Sequence, residues 1–188
     1  NQSISHQGVW NVVQAVGERQ AEEEKRLVRA YENDELCGER EVPVLFEEAD
    51  GLWLSMQRES RKGSSKGKSE LKIGVFYEGW EQRYPCSKEY KTIEKTAFAG
   101  YMKPGDFKAL RDAVVAEKYN TDEIQYRVLN GDGAPWIVNG HDTEDSLFQL
   151  DPYHLSKSVI RNVYDKNSRR HIMRWLKEGQ FEKVFRKL

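Results

Sequence analysis

The spacing of apolar residues changes along the chain, from helical at the start to strand-like and back to helical. Ser5 predicts the N-cap of a helix that stops at Gly17. Four valines at helical spacing mark its apolar face: Val9, Val12, Val13 and Val16. Such a helix is typical of the end of a helix-turn-helix, and equally of simple packing. Residues 18–40 are rich in charge and predict a solvated linker helix.

Strand patterns begin after residue 41. Residues 42–57 hold two apolar runs on either side of Asp50-Gly51, which predicts two strands or one strand bent at the glycine. Residues 70–83 predict the next strand and residues 91–101 a third. The first half of the chain is therefore expected to form a meander of three antiparallel strands.

Helices and strands alternate in the second half. Pro104 predicts the start of a helix that reaches about Tyr119, and residues 126–130 predict a short buried strand. A helical turn or loop, a short strand and two helices are expected over residues 134–139, 147–150, 152–164 and 168–188, with a break at Gly179. The order βββαβαβ followed by helices predicts an α/β fold with a mixed sheet. A right-handed crossover makes the strand 126–130 parallel to the first strand.

Two Asp-Gly pairs follow apolar runs at predicted strand ends, at Asp50 and Asp132. Ligands gather at the carboxyl ends of strands in α/β sheets, and carboxylates are the ligands that Mg²⁺ prefers. If the two strands are parallel neighbours, their carboxylates can share two ions ~3.5–4 Å apart, the arrangement of two-metal phosphoryl chemistry. Asp-Gly is also an ordinary turn signal, so the residues alone leave both interpretations open.

A third acid, Asp151, follows the next predicted strand and stands three residues before His154. Asp151 with Pro152 is also a good helix start, and the two roles are compatible. His154 would then lie in the first turn of that helix, where it could orient a carboxylate or touch a phosphate.

The net charge of −1 conceals an uneven distribution. Residues 1–50 carry twelve acidic and five basic side chains, whereas residues 155–188 carry three acidic and ten basic ones. A further basic cluster occupies a Gly/Ser-rich loop over residues 58–72. A polyanion partner and ordinary helix-surface charge are both consistent with this pattern. The residues predicted to hold phosphates are Arg58, Arg61, Lys62, Lys66, Lys68, Lys157, Arg161, Arg169 and Arg170.

Composition narrows the class of protein. With 38% hydrophobic and 11% aromatic residues the chain can build a core, which argues against a disordered protein. No apolar run approaches the ~20 residues of a membrane span, so no membrane partner is expected. Cys37 and Cys86 match no metal or disulfide spacing and are expected to be free thiols in a reducing cytoplasm.

Four segments together resemble the bacterial ISLre-type insertion-sequence transposases, which are similar to the wider Mutator-like group of DDE transposases. The resemblance covers residues 42–188, most of the chain. Its motifs are specific in combination rather than singly. The segments are VLFEEADGLWLSMQRE, ELKIGVFYEGWE, RVLNGDGAPWI and FQLDPYHLSK.

The resemblance implies a ribonuclease-H-like catalytic core over residues 42–154 and Mg²⁺, or Mn²⁺ as its substitute, as cofactor. It matches Asp50 to the first catalytic acid and Asp132 to the second, and Asp151 and His154 to a D-x-x-H signature. Residues 1–41 would be the end of a DNA-binding region plus a linker helix, and residues 155–188 the start of a helical insertion. The third acid, a Glu, would lie beyond that insertion, so we expect a part of a longer protein.

The implied function is metal-dependent cleavage and transfer of DNA strands at transposon ends, by a homo-oligomer of the full-length protein in the bacterial cytoplasm. Two alternatives remain at this point. One is a non-catalytic DNA-binding or assembly module from a decayed transposase. The other is a ribonuclease-H-like nuclease acting on RNA or junction DNA. Glu178 and Glu182 are expected to be solvated surface residues rather than the third acid.

Overall fold

The computed structural model describes residues 5–56, 67–139 and 146–187 of the chain. A 3₁₀ turn at Thr121–Glu123 precedes the sixth strand. In chain order the other helices and strands are α1 (His6–Glu32), β1 (Val44–Ser55), β2 (Lys68–Tyr77), β3 (Trp80–Gln82), β4 (Tyr90–Thr92), β5 (Thr96–Gly100), α2 (Pro104–Lys118), β6 (Tyr126–Gly131), α3 (Pro135–Val138), β7 (Ser146–Leu150), α4 (Pro152–Asn162), α5 (Lys166–Lys177) and α6 (Phe181–Phe185).

Five strands form one mixed sheet in the order β5-β2-β1-β6-β7. The pairs β1–β2 and β2–β5 are antiparallel, as the meander predicted. The pairs β1–β6 and β6–β7 are parallel, so the predicted α/β class with a mixed sheet is confirmed. The parallel strands β6 and β7 therefore run in the same direction as β1 and end at the same edge of the sheet.

The predicted second and third strands were too long. The strand 70–83 ends at Tyr77 because Gly79 has a φ of 142°, which turns the chain out of the main sheet. The chain then forms a separate two-stranded sheet of β3 and β4, which the sequence did not predict. The strand 91–101 is likewise interrupted at Glu94, whose φ of 52° separates β4 from β5.

The N-terminal region is one continuous helix rather than two. Ser5 caps α1 as predicted, since its hydroxyl accepts a hydrogen bond of 3.1 Å from the Gly8 amide. The predicted stop at Gly17 is wrong: a glycine costs only about 1 kcal/mol inside a helix, and good helix formers follow it here. The helix ends instead near Asp34, whose φ is 55°.

The main core lies between one face of the sheet and α2. Leu45 from β1 and Phe76 from β2 pack there against Val115 and Tyr119, and all four are fully buried. The helix predicted from Pro104 to about Tyr119 is confirmed as α2, and it buries Phe107, Leu110 and Val115. The opposite face of β1 carries the side chains that alternate with the core residues.

The helices α4, α5 and α6 have a small apolar cluster of their own, built on Val159, Ile172 and Val184. The break at Gly179 is confirmed, with a φ of 68° between α5 and α6. The predicted start of α5 at residue 168 was late, because Asp165 caps the helix and starts it at Lys166. Within the described part of the chain, no helix has the length and apolar character needed to cross a membrane.

Candidate functional site

Three aspartates stand side by side at the edge where the parallel strands end. Ala49 on β1 pairs with Gly131 on β6, and Gly131 pairs with Leu150 on β7. The residue that follows each of these three is an aspartate. The Asp151 amide donates to the Gly131 carbonyl at 2.8 Å, which continues the pairing one step further. We call this set the aspartate row: Asp50, Asp132 and Asp151.

The position of Asp50 within its strand differs from the prediction. Asp50 lies in the middle of β1, which continues to Ser55 because β2 pairs with it over this whole stretch. Only the parallel pairing with β6 ends at Ala49, so Asp50 is the first residue beyond it. The backbone turns at one Asp-Gly pair and not at the other: Gly133 has a φ of 85°, whereas Gly51 remains in the strand.

Each aspartate is oriented by its own backbone. The Asp50 carboxylate accepts a hydrogen bond of 2.8 Å from the next amide, and Asp132 accepts one of 2.9 Å from the Ala134 amide. Asp151 accepts one of 2.8 Å from the Tyr153 amide and so caps α4. In all three the Oδ1 atom makes this bond. The two roles proposed for Asp151, helix cap and site residue, are therefore compatible in the structure.

The aspartate row and His154 line one open cleft of about 180 Å³. The Nε2 atom of His154 lies 3.7 Å from Oδ2 of Asp151, and each side chain is about one-third exposed. Among the described residues that line the cleft there is neither a lysine nor an arginine. The other lining residues are Glu48, Ala49, Ile73, Val75, Asn130 and Gly131.

Sequence reasoning missed Glu48. It stands two residues before Asp50, so the alternation of a strand places both side chains on the same face of β1. Its Oε1 atom accepts a hydrogen bond of 2.9 Å from the Tyr77 hydroxyl, and burial, with this bond to Glu48, raises the pKa of Tyr77. The period-two pattern of β1 was the signal that could have identified Glu48 as a fourth acid of the cleft.

The chemistry of the cleft fits a hard divalent cation. Its acids offer carboxylate oxygens, which Mg²⁺ prefers, and neighbouring strands lie only ~4.8 Å apart. Within residues 5–56, 67–139 and 146–187, however, no three His, Cys, Asp or Glu side chains are already arranged as a metal site. A shared ion would therefore draw on carboxylate oxygens that the local backbone bonds leave available.

A second set of charges lies on the opposite, core-facing side of the same strands. The Glu47 carboxylate is 3% exposed and accepts a hydrogen bond of 2.5 Å from Arg127 on β6. Arg111 on α2 lies 3.7 Å from Glu47, and both arginines contact Asp112, at 2.9 and 3.3 Å. Burial opposes the charge of Arg127, but Glu47 and Asp112 outweigh it and raise its pKa. This buried ion network, which the sequence did not predict, ties β1 to β6.

The predicted basic loop is only partly described by the structure. Lys68 is exposed at the start of β2. Lys72, the last position of the basic cluster over residues 58–72, is 5% exposed. Its ammonium lies 3.0 Å from Glu70 and 5.3 Å from the ring centre of Trp136, so its charge is already satisfied inside the protein. The other predicted residues of the loop lie outside the described residues: Arg58, Arg61, Lys62 and Lys66.

Trp136, four residues after Asp132, is held by its neighbours. Its ring packs edge-on against Phe107 at 5.4 Å and beneath Lys72. Trp136 therefore belongs to the contact between α3, α2 and the sheet.

The predicted basic residues of the helical end divide into two kinds. Arg161 and Arg170 are exposed, and Lys157 is half-buried with its ammonium 5.3 Å from the ring of Tyr153. Arg169 was predicted to hold phosphate, but its Nε donates to the Val163 carbonyl. That bond ties α5 to the turn before it.

The fold and the cleft define an α/β protein whose mixed sheet presents a row of carboxylates at the end of its parallel strands. The chain belongs to the uncharacterised protein family UPF0236, whose family model matches residues 1–188. One UPF0236 protein of Caldanaerobacter subterraneus subsp. tengcongensis, named for four gene loci, is 28% identical over 186 residues. Another from the same bacterium, named for eleven loci, is 30% identical over 186 residues.

These relatives are much longer than the chain. The aligned region covers 97% of the chain but 35% of either relative, so the chain spans about a third of their length. No solved structure matches the chain.

Proposed function

We propose that this chain is part of the catalytic domain of a DDE-type DNA transposase, with a ribonuclease-H-like fold and a metal-dependent strand-cleavage and strand-transfer activity. The aspartate row carries the proposal: three carboxylates follow the same paired position on three neighbouring parallel strands and line one open cleft. The order of strands and helices along the chain and the sequence resemblance over residues 42–188 support the same assignment. The full reaction is proposed for the longer protein, since the chain spans about a third of its relatives.

Asp50 and Asp132 would hold Mg²⁺ in this cleft, and Mn²⁺ could replace it. Bound metal ions supply activation of an attacking hydroxyl and stabilisation of the leaving oxygen in phosphoryl transfer. The chain contributes position: pairing of β1 with β6 fixes the two aspartates side by side, and their backbone hydrogen bonds fix one oxygen of each. Asp151 and His154 complete the same wall of the cleft.

The charge of the cleft gives a reason for a cation. Four carboxylates line it, and none of the described lining residues is a lysine or arginine. A DNA phosphate could not approach such a cleft without a cation, because like charges repel. Bound divalent metal ions would offset this negative charge and so allow a phosphodiester to enter.

The copy number of the relatives supports a mobile element. A single protein name that covers eleven gene loci of one bacterium means that its gene is present in many copies. Multiplication within a genome is what an active insertion sequence produces, and such an element requires a transposase. In that setting the partners are the transposon ends and the target DNA, and a homo-oligomer would hold the two ends together in the cytoplasm.

Metal binding by this chain tests the site directly. Mn²⁺ is titrated into the wild-type chain and into Asp50→Asn and Asp132→Asn, with electron paramagnetic resonance of free Mn²⁺ as the readout. We expect each substitution to weaken binding at least tenfold, because a carboxylate ligand becomes a neutral amide. Asp165→Asn is the matched control, since Asp165 also accepts a backbone hydrogen bond but lies away from the cleft. Equal affinity in all four proteins would exclude the site.

Activity is tested with a full-length UPF0236 protein that contains the sequence of residues 1–188. Duplex DNA with the ends of its own element is incubated with Mg²⁺, and hydrolysed and joined products are separated on a gel. We expect cleavage followed by joining of the 3′ end to target DNA. Cleavage without joining would indicate a nuclease instead, and DNA binding without cleavage would indicate a non-catalytic module.

A further inference from the structure

The strongest unassigned feature is the surface of α5 that faces away from the small apolar cluster. Ile172 is buried on the inner side of this helix, next to Met173 and Leu176. The outer side carries four exposed basic residues at positions i, i+4, i+8 and i+11, which is one face of an α-helix. We call them the basic stripe: Lys166, Arg170, Arg174 and Lys177.

Nothing within the described structure neutralises this stripe. The sequence of α5 contains no acidic residue, and its cap Asp165 already accepts a hydrogen bond from the Ser168 amide at 2.7 Å. None of the four stripe residues has an ion-pair partner within 4.0 Å among the described residues. By contrast, Arg19 and Lys25 on α1 are each paired with a glutamate.

The helix is held rigidly enough to present such a surface. A turn of three residues, 163–165, joins α4 to α5, and Arg169 fastens α5 to that turn through the Val163 carbonyl. Val159 of α4, Ile172 of α5 and Val184 of α6 pack together beneath it. Two helices joined by a short turn, with a third packed on them, form a support of the helix-turn-helix kind.

We propose that α4 and α5 form a DNA-binding unit in which α5 lies along the major groove of duplex DNA and the basic stripe contacts its phosphates. The stripe extends over roughly 16 Å, at 1.5 Å per residue. A helix ~10–12 Å across matches the major groove, which is ~12 Å wide. Duplex DNA presents one negative charge per ~1.7 Å of its axis. A straight row of cations therefore matches duplex DNA better than it matches the irregular surface of an acidic protein.

The choice of DNA as the polyanion rests on the proposed transposase function, but the binding itself needs no metal in the cleft. The proposed DNA-binding unit also changes which basic residues of α5 are expected to contact DNA. Arg169 holds α5 in place and is a positioning residue, whereas Arg174 and Lys177, which the sequence did not single out, contact DNA. The aspartate row and the basic stripe can therefore be tested apart.

The experiment measures binding of the whole chain to a labelled 20-base-pair duplex by fluorescence anisotropy, in EDTA and over a series of salt concentrations. The test variant is Arg170→Gln/Arg174→Gln/Lys177→Gln. We expect its Kd to rise at least tenfold at moderate salt. The slope of log K against log salt should fall by roughly 2–3, since each lost phosphate contact contributes about 0.9.

A matched control removes the same charge from another exposed helix: Arg19→Gln/Lys25→Gln/Arg26→Gln on α1. It should bind within about threefold of wild type. Arg170→Lys/Arg174→Lys, which keeps the charge, should retain the wild-type salt slope. Thermal unfolding of each variant establishes that it is folded, so that a loss of binding reports on the surface.

Three outcomes would overturn the proposal. The first is wild-type affinity in the stripe variant, and the second is an equal loss in both triple variants, which would mean binding through net charge alone. The third is equal or tighter binding of single-stranded RNA or of polyglutamate. Asp50→Asn/Asp132→Asn is measured alongside and should bind the duplex at least as well as wild type in EDTA. Its failure to bind Mn²⁺ concerns only the cleft, so the two proposals fail separately.

Discussion

The carboxylates on the two faces of the sheet have opposite surroundings, although the same strands carry them. Glu47 and Asp50 are three residues apart on β1. Glu47 faces the core, is 3% exposed and contacts two arginines. Asp50 faces the cleft, is exposed, and its carboxylate accepts a hydrogen bond from the next backbone amide.

These surroundings distinguish carboxylates that are paired and stabilise the fold from carboxylates that have no lysine or arginine beside them in the cleft. A buried acid must be paired, because an uncompensated charge in the interior costs several kcal/mol. Acids that gather at a surface without a lysine or arginine repel each other, and selection for stability alone gives no reason to keep them together. The buried ion network therefore stabilises the fold, whereas the aspartate row is the site that we propose for a cation.

The largest effect is expected from breaking the buried ion network. Arg127→Ala removes the arginine that lies 2.5 Å from Glu47 and leaves the more distant Arg111, at 3.7 Å. The free energy of unfolding, measured with urea, should fall by about 3–5 kcal/mol, the usual cost of removing one partner of a buried pair. The double variant Glu47→Leu/Arg127→Met should recover most of this loss, because it removes both charges and fills the space. A loss below about 1 kcal/mol in the single variant would contradict the structural role.

Acid should destabilise the protein through its paired carboxylates. Glu78 accepts hydrogen bonds from Arg40 at 2.7 Å and from the Tyr119 hydroxyl at 3.0 Å. The bond from Arg40 holds the pKa of Glu78 below its ordinary value of 4.5. A lowered pKa in the folded state gives stability that is present above 4.5 and lost as the pH falls through the folded value. Glu78→Gln lacks this contribution.

The measurement is urea unfolding of wild type and Glu78→Gln from about pH 6 to about pH 3. The stability of wild type should fall more steeply toward acid, so that the two curves converge at the lowest pH. Parallel curves for wild type and Glu78→Gln over this range would contradict the contribution of Glu78.

Much of the aspartate row was predictable because its signals are local. Apolar runs ending in Asp-Gly marked Asp50 and Asp132, and the pairing of Asp151 with Pro152 marked a helix start. The right-handed crossover rule then placed β6 parallel to β1, and the register of the pairing brings the aspartates together. Short-range patterns and one topological rule were therefore sufficient to predict that Asp50 and Asp132 lie side by side.

What the sequence did not predict depends on contacts between distant residues. Glu47 and Arg127 are 80 positions apart, and nothing local to either residue indicates their partner. The continuity of β1 through Gly51 depends on β2, which supplies hydrogen-bond partners on both sides of the glycine. The bond from Arg169 to the Val163 carbonyl forms only once α5 has packed, so the sequence did not indicate it.

A moderate effect is expected from His154, which lines the cleft beside Asp151. Its Nε2 atom lies 3.7 Å from Asp151, near enough to orient that carboxylate but too far for a hydrogen bond. His154→Ala should weaken Mn²⁺ binding by about tenfold or less, the low end of the effect of an orienting residue. The loss should be smaller than in Asp50→Asn, and the free energy of unfolding should change by no more than about 0.5 kcal/mol. A larger loss than in Asp50→Asn would make His154 a ligand itself.

The smallest effect is expected from neutralising one member of the aspartate row. This substitution should stabilise the folded protein, whereas loss of a buried partner destabilises it. Asp132→Asn keeps an Oδ1 acceptor for the Ala134 amide but removes one of several neighbouring negative charges. At low salt and in EDTA its melting temperature should rise by about 1–2 °C, a gain of roughly 0.5 kcal/mol for a chain of this size. The gain should vanish near 1 M salt, where charges are screened within about 3 Å.

Adding Mg²⁺ should then raise the melting temperature of wild type more than that of Asp132→Asn, because a ligand that binds only the folded state stabilises it in proportion to its affinity. The metal would therefore reverse the order of the two melting temperatures, so that wild type melts above Asp132→Asn. Asp165→Asn, outside the cleft, should show neither the gain in EDTA nor the reversal. If Asp132→Asn melted lower than wild type in EDTA, the carboxylate would be contributing to the fold as Glu47 does, and the contrast between the two faces of the sheet would no longer hold.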